Sequence, residues 1–469
     1  MAESSSFSST MLPEPALTFT LPSLHDGLTL DCRVYHPQSL SASPKSPAWR
    51  RHGAIVAHPY APLGGCYDDP VVDIVAGTLL QCGFVVGTFN VRGAGSSAGR
   101  TTWTAKAESA DYTSFVGFMS HYIHYLDPFR PARRDLPTSD SEDHSYAISP
   151  PTSLPSSPLG SPSKHATPFF ALPETNHAPI LLLGGYSYGA MVTTNLPSLN
   201  SILAPFDKPV CGSPAAEIRL RAQHLAEMQN TVLASARAAA VDRQKGKSYR
   251  KSLGMRVGGD EENRRSHDSR RSFSVDLEER LHKGVNELME KARKGHRRRH
   301  ASGHHEPTVE EEKTPKPDNS PEHLLPVPNL TACRPAYLLV SPLQGIVTNL
   351  ATMSFPSPLS SLSRRIPNRS SSWSGKPSIS ETAKTMPLSE AEQKLVANPT
   401  LAIYGDCDGF VAARKLRLWA SRLQTMPDSK FRAHEVAGVG HFWHQGRAHV
   451  VLRDAIKTYA ESLLLRHDV

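Results

Sequence analysis

Three residues, Ser187, Asp408 and His441, have the types and the chain order that acyl transfer through a nucleophile, an orienting acid and a base requires. Ser187 sits in "ILLLGGYSYGAMV", where Gly185-Tyr186-Ser187-Tyr188-Gly189 fits G-x-S-x-G. The run Ile180 to Leu183 reads as a buried strand, and Ala190, Met191 and Val192 as the start of a helix. Between a strand and a helix the glycines permit a turn too tight for side chains. The serine hydroxyl is then left exposed at the carboxyl edge of a sheet. The helix N-terminus just behind it favours the negative charge that develops during acyl transfer. On its own G-x-S-x-G is a weak signal; the flanking strand and helix patterns strengthen it.

A hydroxyl needs a base, and the base needs an orienting carboxylate. In "YGDCDGFV", after the strand Leu401 to Tyr404, two acids compete. The D-x-x-V spacing favours Asp408, and Asp406 reads as a turn or cap acid. In "VAGVGHFWHQ" His441 lies in a glycine-rich loop from which an imidazole can reach across to Ser187, whereas His444, one turn later, reads as surface or pocket lining. Each of the three falls in a loop after a strand.

An oxyanion needs donors. One is the backbone N–H of Tyr188, the residue after the nucleophile. The other is expected from "HPYAPLGG": Pro59 has no N–H, so Tyr60 is the candidate, and Gly64 and Gly65 let the backbone bend close to substrate. The plain alternative for this stretch is a Pro/Gly turn.

The elements that must position these residues follow from periodicity. "LTFTLPSLHDGLTLDCRVYHP" holds two alternating runs around Asp26-Gly27 and predicts a hairpin. Ala54 to Ala57 predicts a buried strand. "DPVVDIVAGTLLQCG" has Asp69 as N-cap, Pro70 at the first helical position and Gly83 as a stop. "FVVGTFNVRG" gives a strand and Ala105 to Tyr125 a helix. Further on come a strand at 336–341, one at Leu401 to Tyr404, a helix from Val411 to Leu423, the strand "FRAHEVAG" and a closing helix from His449 to Leu465. Strand and helix alternate, so the fold class is α/β, with a mostly parallel sheet covered by helices on both faces.

The 469 residues do not all belong to that core. Hydrophobic residues are only 39%, there are 39 prolines, and the formal charge is +8. Ser/Pro-rich and Arg/Lys-rich tracts bury too little apolar surface to offset their ordering entropy. The expected organisation is a disordered tail (1–14), core (15–126), a Ser/Pro-rich disordered insertion (127–177), core with the nucleophile (178–203), a helical and basic insertion (204–334), core (335–353), a Ser-rich disordered insertion (354–388) and core with the acid and histidine loops (389–469).

Within 204–334, residues 215–243 are helix-favouring, and 276–294 place Leu277, Leu281, Val285, Leu288 and Met289 on one helical face. That stripe suits a lid helix on the core or an interfacial helix in peripheral contact with a membrane. "RRSHDSRRSFS" and "RRRHAS" put arginines shortly before Ser266, Ser272, Ser274 and Ser302, a pattern that suits basophilic kinases; solvated disorder without regulation is the plain alternative. No aromatics interleave with these basic residues, so nucleic-acid binding is not expected. The six cysteines are scattered without a C-x-x-C pair, which gives neither a disulfide framework nor a zinc site. "MAESSSFSSTMLPEPAL" lacks the regions of a signal peptide. A reducing cytoplasmic or nuclear location is the expectation.

With "HPYAPLGG", "FNVRGAGSSAG", "GYSYGA" and "GVGHFWH", the chain resembles the α/β-hydrolase superfamily, and more narrowly small intracellular serine hydrolases. The resemblance spans most of 15–126, 178–203 and 335–465. It implies Ser187, Asp408 and His441 as the triad and Tyr60 and Tyr188 at the oxyanion hole. It also implies a pocket that includes His58, Arg92 and Tyr186, with Arg92 at its floor. The expected activity is hydrolysis of an ester-type acyl substrate through an acyl-enzyme, with thioesters, lactones and amides open and no cofactor or metal. Two alternatives differ in class: a non-catalytic interaction protein using the basic insertion, and an acyltransferase on the same triad.

Overall fold

Asp26 and Gly27 reverse the chain between β1 (Leu17–Pro22) and β2 (Thr29–Tyr35), which pair antiparallel with Leu17 opposite Val34 and Pro22 opposite Thr29. Gly27 takes φ +76°, a conformation glycine adopts without strain. The computed structural model describes residues 10–43, 45–102, 105–129, 178–252, 283–284, 287, 290, 322–344 and 388–465. The chain divides into two units: residues 1–128 with 178–469, and residues 129–177. The architecture below is that of the first; of the second only Phe129 is described.

Six further strands complete one sheet: β3 (Gly53–Ala57), β4 (Val85–Phe89), β5 (Ile180–Tyr186), β6 (Arg334–Val340), β7 (Thr400–Gly405) and β8 (Phe431–Val436). Their order is β1-β2-β4-β3-β5-β6-β7-β8. β2 runs antiparallel to β1 and β4, and every later pairing is parallel. The central strands β3, β4 and β5 are buried along their whole length, which is why β3 and the start of β5 read as apolar runs rather than alternating ones.

Helices cover both faces. α1 (Pro70–Gln81) starts where the sequence places it: Asp69 accepts the N–H groups of Val71 and Val72, and Pro70 opens the first turn. α2 (Lys106–Tyr125) lies on the opposite face. Gly87 makes room for it, because a Cβ there would stand 2.7 Å from the Phe115 ring. Phe89, Phe115 and Phe118 stack between α2 and the sheet, with Phe19 of β1 4.5 Å from Phe118. α3 (Tyr188–Asn195) follows β5, and the short α4 (Leu199–Leu203) follows α3.

α5 (Pro214–Ser252) is longer than the 215–243 stretch that composition marks as helix-favouring. Its first turns pack on α2 and β1, burying Ile218, Leu225 and Ala226. Asn230 donates to Tyr125 O and accepts from Asp127 N, so α5 satisfies the C-terminal end of α2. Three helices complete the unit: α6 (Glu390–Ala397), α7 (Ala413–Gln424) and α8 (Ala448–Leu465). α8 packs against α1 through Leu452, Ile456 and Ala460.

The sequence reading contains no helix at α6, yet the capping box of Ser389 and Glu392 marks its start. Lys394 fastens it to α3 by donating to Thr193 O at 2.8 Å and to Leu196 O. Burial lowers the Lys394 pKa to about 7.

Apart from residues 127–129, the Ser/Pro-rich insertion lies outside the described residues, as do residues 354–387 and Ser266, Ser272, Ser274 and Ser302. The amphipathic stretch 276–294 also lies outside them, except for Lys283, Gly284, Glu287 and Glu290. Among the described residues no helix is long and apolar enough to cross a membrane.

Candidate active site

β5 ends at Tyr186 and α3 begins at Tyr188, so the chain turns from strand to helix within one residue, Ser187. That residue takes φ +56° and ψ −114°, a backbone conformation costly for any side chain. Crowding explains the flanking glycines. A Cβ on Gly185 would lie 2.4 Å from Gly189 C, and one on Gly189 would lie 2.5 Å from Ala57 O. The Ser187 N–H donates to Val340 O at 2.8 Å, which anchors the turn to β6.

The Ser187 hydroxyl lies 2.8 Å from His441 Nε2, and His441 Nδ1 lies 2.7 Å from Asp408 Oδ2. Next to a carboxylate Nδ1 carries the proton, which leaves Nε2 bare to accept from the serine hydroxyl. Asp408 Oδ1 accepts the N–H groups of Phe410 at 2.8 Å and Val411 at 3.1 Å. Burial raises the Asp408 pKa, but the His441 contact and these two N–H groups outweigh it and hold the carboxyl below its ordinary value. All three side chains are buried, and Ser187 keeps 6% exposure, enough to face the cavity it lines.

Asp406 and His444 stand apart from this chain of hydrogen bonds. Asp406 accepts the Gly438 N–H at 2.6 Å and so ties the acid loop to the histidine loop. His444 stacks on Phe442 with ring centroids 6.0 Å apart.

The histidine loop is held from three further sides. The Tyr186 hydroxyl donates to His441 O at 3.0 Å. Gln445 accepts the Gly440 N–H at 3.1 Å. Trp443, fully buried at φ +59°, donates from Nε1 to Ser341 Oγ at 3.0 Å. Sequence reasoning missed Trp443 and Gln445. The signal was the "FWHQ" that follows His441, where a large aromatic next to a glycine-rich loop has to bury itself somewhere.

Tyr60 and Tyr188 face each other with rings 5.0 Å apart, and among the described residues no acceptor takes the backbone N–H of either. His58 sets the peptide between Pro59 and Tyr60. The Val91 N–H donates to His58 Nε2 at 3.0 Å, so Nδ1 carries the proton and donates to Pro59 O at 2.6 Å. Burial lowers the His58 pKa to about 4, so the ring is neutral. With Pro59 O engaged in this way, the trans peptide turns the Tyr60 N–H the opposite way. Gly65 permits the tight return of this loop, since a Cβ there would lie 2.4 Å from Pro59 O.

The cavity in front of Ser187 has a volume of about 520 Å³. Of the three pocket residues implied by the resemblance, only Tyr186 lines it. His58 lies behind the Tyr60 loop. Arg92 is not among the residues that line the cavity: it is 3% exposed and donates to Asp111, Asp26 and Ser23, binding the hairpin turn to α2. A guanidinium with two carboxylates in reach is held by charge and hydrogen bonding away from an apolar cavity. The walls that sequence reasoning did not supply are Leu63, Leu343, Phe410, Phe442 and Asp69. None of the described residues of α5 lines the cavity.

The sheet order, the strand-to-helix turn at Ser187 and the chain order of serine, acid and histidine define an α/β-hydrolase fold. No protein-family model matches the chain, and no curated protein matches it. Solved structures with likeness to it include an alpha-beta serine hydrolase homologue from Coxiella burnetii, 11% identical with a TM-score of 0.37, covering 95% of this chain and 98% of that one. An a/b serine hydrolase without lid from Xanthomonas campestris is 14% identical with a TM-score of 0.37, covering 96% of each chain. Est1E of Butyrivibrio proteoclasticus with ferulic acid bound is 10% identical with a TM-score of 0.38, covering 95% of this chain and 99% of that one.

Proposed function

We propose that this chain is a serine hydrolase that cleaves an ester-type acyl substrate through an acyl-enzyme. The observation that carries the reading is the unbroken contact from Asp408 through His441 to Ser187, at 2.7 and 2.8 Å, with the serine facing a cavity. Ser187 Oγ attacks the carbonyl carbon while His441 Nε2 takes the hydroxyl proton. Asp408 holds the imidazole in the correct tautomer and stabilises the imidazolium. The N–H groups of Tyr60 and Tyr188, which lack protein acceptors among the described residues, receive the oxyanion. His441 then gives its proton to the leaving alcohol, and a water activated by the same imidazole releases the acid.

A fluorophosphonate probe and an ester panel graded by acyl length test this. Wild type labels and hydrolyses, Ser187→Ala does neither, and the exposed Ser96→Ala labels like wild type. Equal labelling of Ser187→Ala and wild type would refute the assignment.

A further inference from the structure

The cavity in front of Ser187 is built largely of rings: Tyr60, Tyr186, Tyr188, Phe410 and Phe442. Among the described residues that line it there is one acid, Asp69, and no lysine or arginine. A purely apolar acyl chain has no use for a carboxylate in its wall.

Asp69 also caps α1, and that role engages half of the side chain. Oδ1 accepts Val71 N at 2.8 Å and Val72 N at 3.3 Å, while Oδ2 takes no hydrogen bond among the described residues. Serine, threonine or asparagine would cap as well without placing a charge there. Burial works against the ionised form, raising the Asp69 pKa. A carboxylate with a spare oxygen, on a residue that lines the same cavity as several aromatic rings, is a pairing that can recognise an organic cation. The carboxylate supplies opposite charge and the rings supply their negative faces. The same wall repels an anionic head.

We propose that the cavity selects esters carrying a cationic, alkylammonium-type group, held by Asp69 and the surrounding rings. This rests on Ser187 being the nucleophile only for turnover; the cation site itself does not depend on it.

The test therefore separates binding from chemistry. In full-length Ser187→Ala protein, calorimetry compares butyrylcholine with its neutral isostere, 3,3-dimethylbutyl butyrate. The cation is expected to bind roughly tenfold tighter, and the preference is expected to collapse toward one in Ser187→Ala/Asp69→Asn. Asparagine preserves the cap, and a thermal melt verifies that the double variant is folded. Equal affinities for the two esters, a preference that survives Asp69→Asn, or no binding of either would overturn the proposal. Wild-type turnover then distinguishes the two readings. A cation preference in binding without hydrolysis refutes the hydrolase assignment alone, and hydrolysis of neutral esters without any cation preference refutes the cation site alone.

Discussion

Asp408 Oδ2 lies 2.7 Å from His441 Nδ1, whereas Asp406, two residues earlier on the same loop, accepts the Gly438 N–H instead. Asparagine at 408 can present its amide N–H to Nδ1 and so favour the wrong imidazole tautomer. Asp408→Asn is expected to lower kcat roughly 10³- to 10⁴-fold, while Asp406→Asn stays within about threefold of wild type. Steady-state kinetics on a turned-over ester measures both. Equal losses in the two variants would mean that the loop's shape, and not the carboxylate at 408, is what matters.

Stability should fall as the medium becomes acid, because three buried histidines resist taking up a proton. Burial lowers His36, His58 and His121 from 6.5 to about 4. Each takes a proton in the unfolded chain between about pH 6.5 and pH 4 and refuses it in the folded one. Stability therefore rises with pH across that window and is lost as pH falls through it, by up to roughly 3 kcal/mol per histidine. Asp408, with its depressed folded value, adds a loss only at still lower pH. Denaturant melts from pH 7 to pH 4 should show a shallower slope for His121→Gln than for wild type. An unchanged slope would refute the assignment of that ring as buried and neutral.

Two glycines near the site should lose stability to alanine by very different amounts. A Cβ on Gly189 would lie 2.5 Å from Ala57 O and 2.6 Å from His58 O, both rigid backbone. Gly189→Ala is expected to cost about 3 kcal/mol or more, or to leave little folded protein. Gly64, at φ +88° with nothing within 4 Å of a built Cβ, bears only conformational strain, about 1 kcal/mol. Urea midpoints compare the two, and similar costs would contradict the crowding described at the elbow.

Much of this architecture is legible from residue types because local chemistry and tertiary role agree. Asp69 and Pro70 announce α1, Asp26-Gly27 announces the hairpin, and apolar runs announce β3 and β5. The nucleophile turn is legible for a similar reason, since its G-x-S-x-G pattern sits between a strand and a helix, although Gly185 is demanded by a contact four residues on and Gly189 by the distant backbone of Ala57 and His58. What is not legible depends on partners far along the chain. Arg92 looks like part of a glycine-rich pocket loop until Asp26 and Asp111 arrive from the hairpin and α2 to bury it. Asp69 reads fully as a cap, and only the folding of distant loops makes it part of a cavity wall. Lys394 has no local reason to be buried; its acceptors lie some two hundred residues earlier.

The φ of +56° at Ser187 carries a consequence for how this sequence is kept. Glycine would sit there with about 1 kcal/mol less strain. The serine therefore trades a little durability for a hydroxyl placed at the tightest bend of the chain.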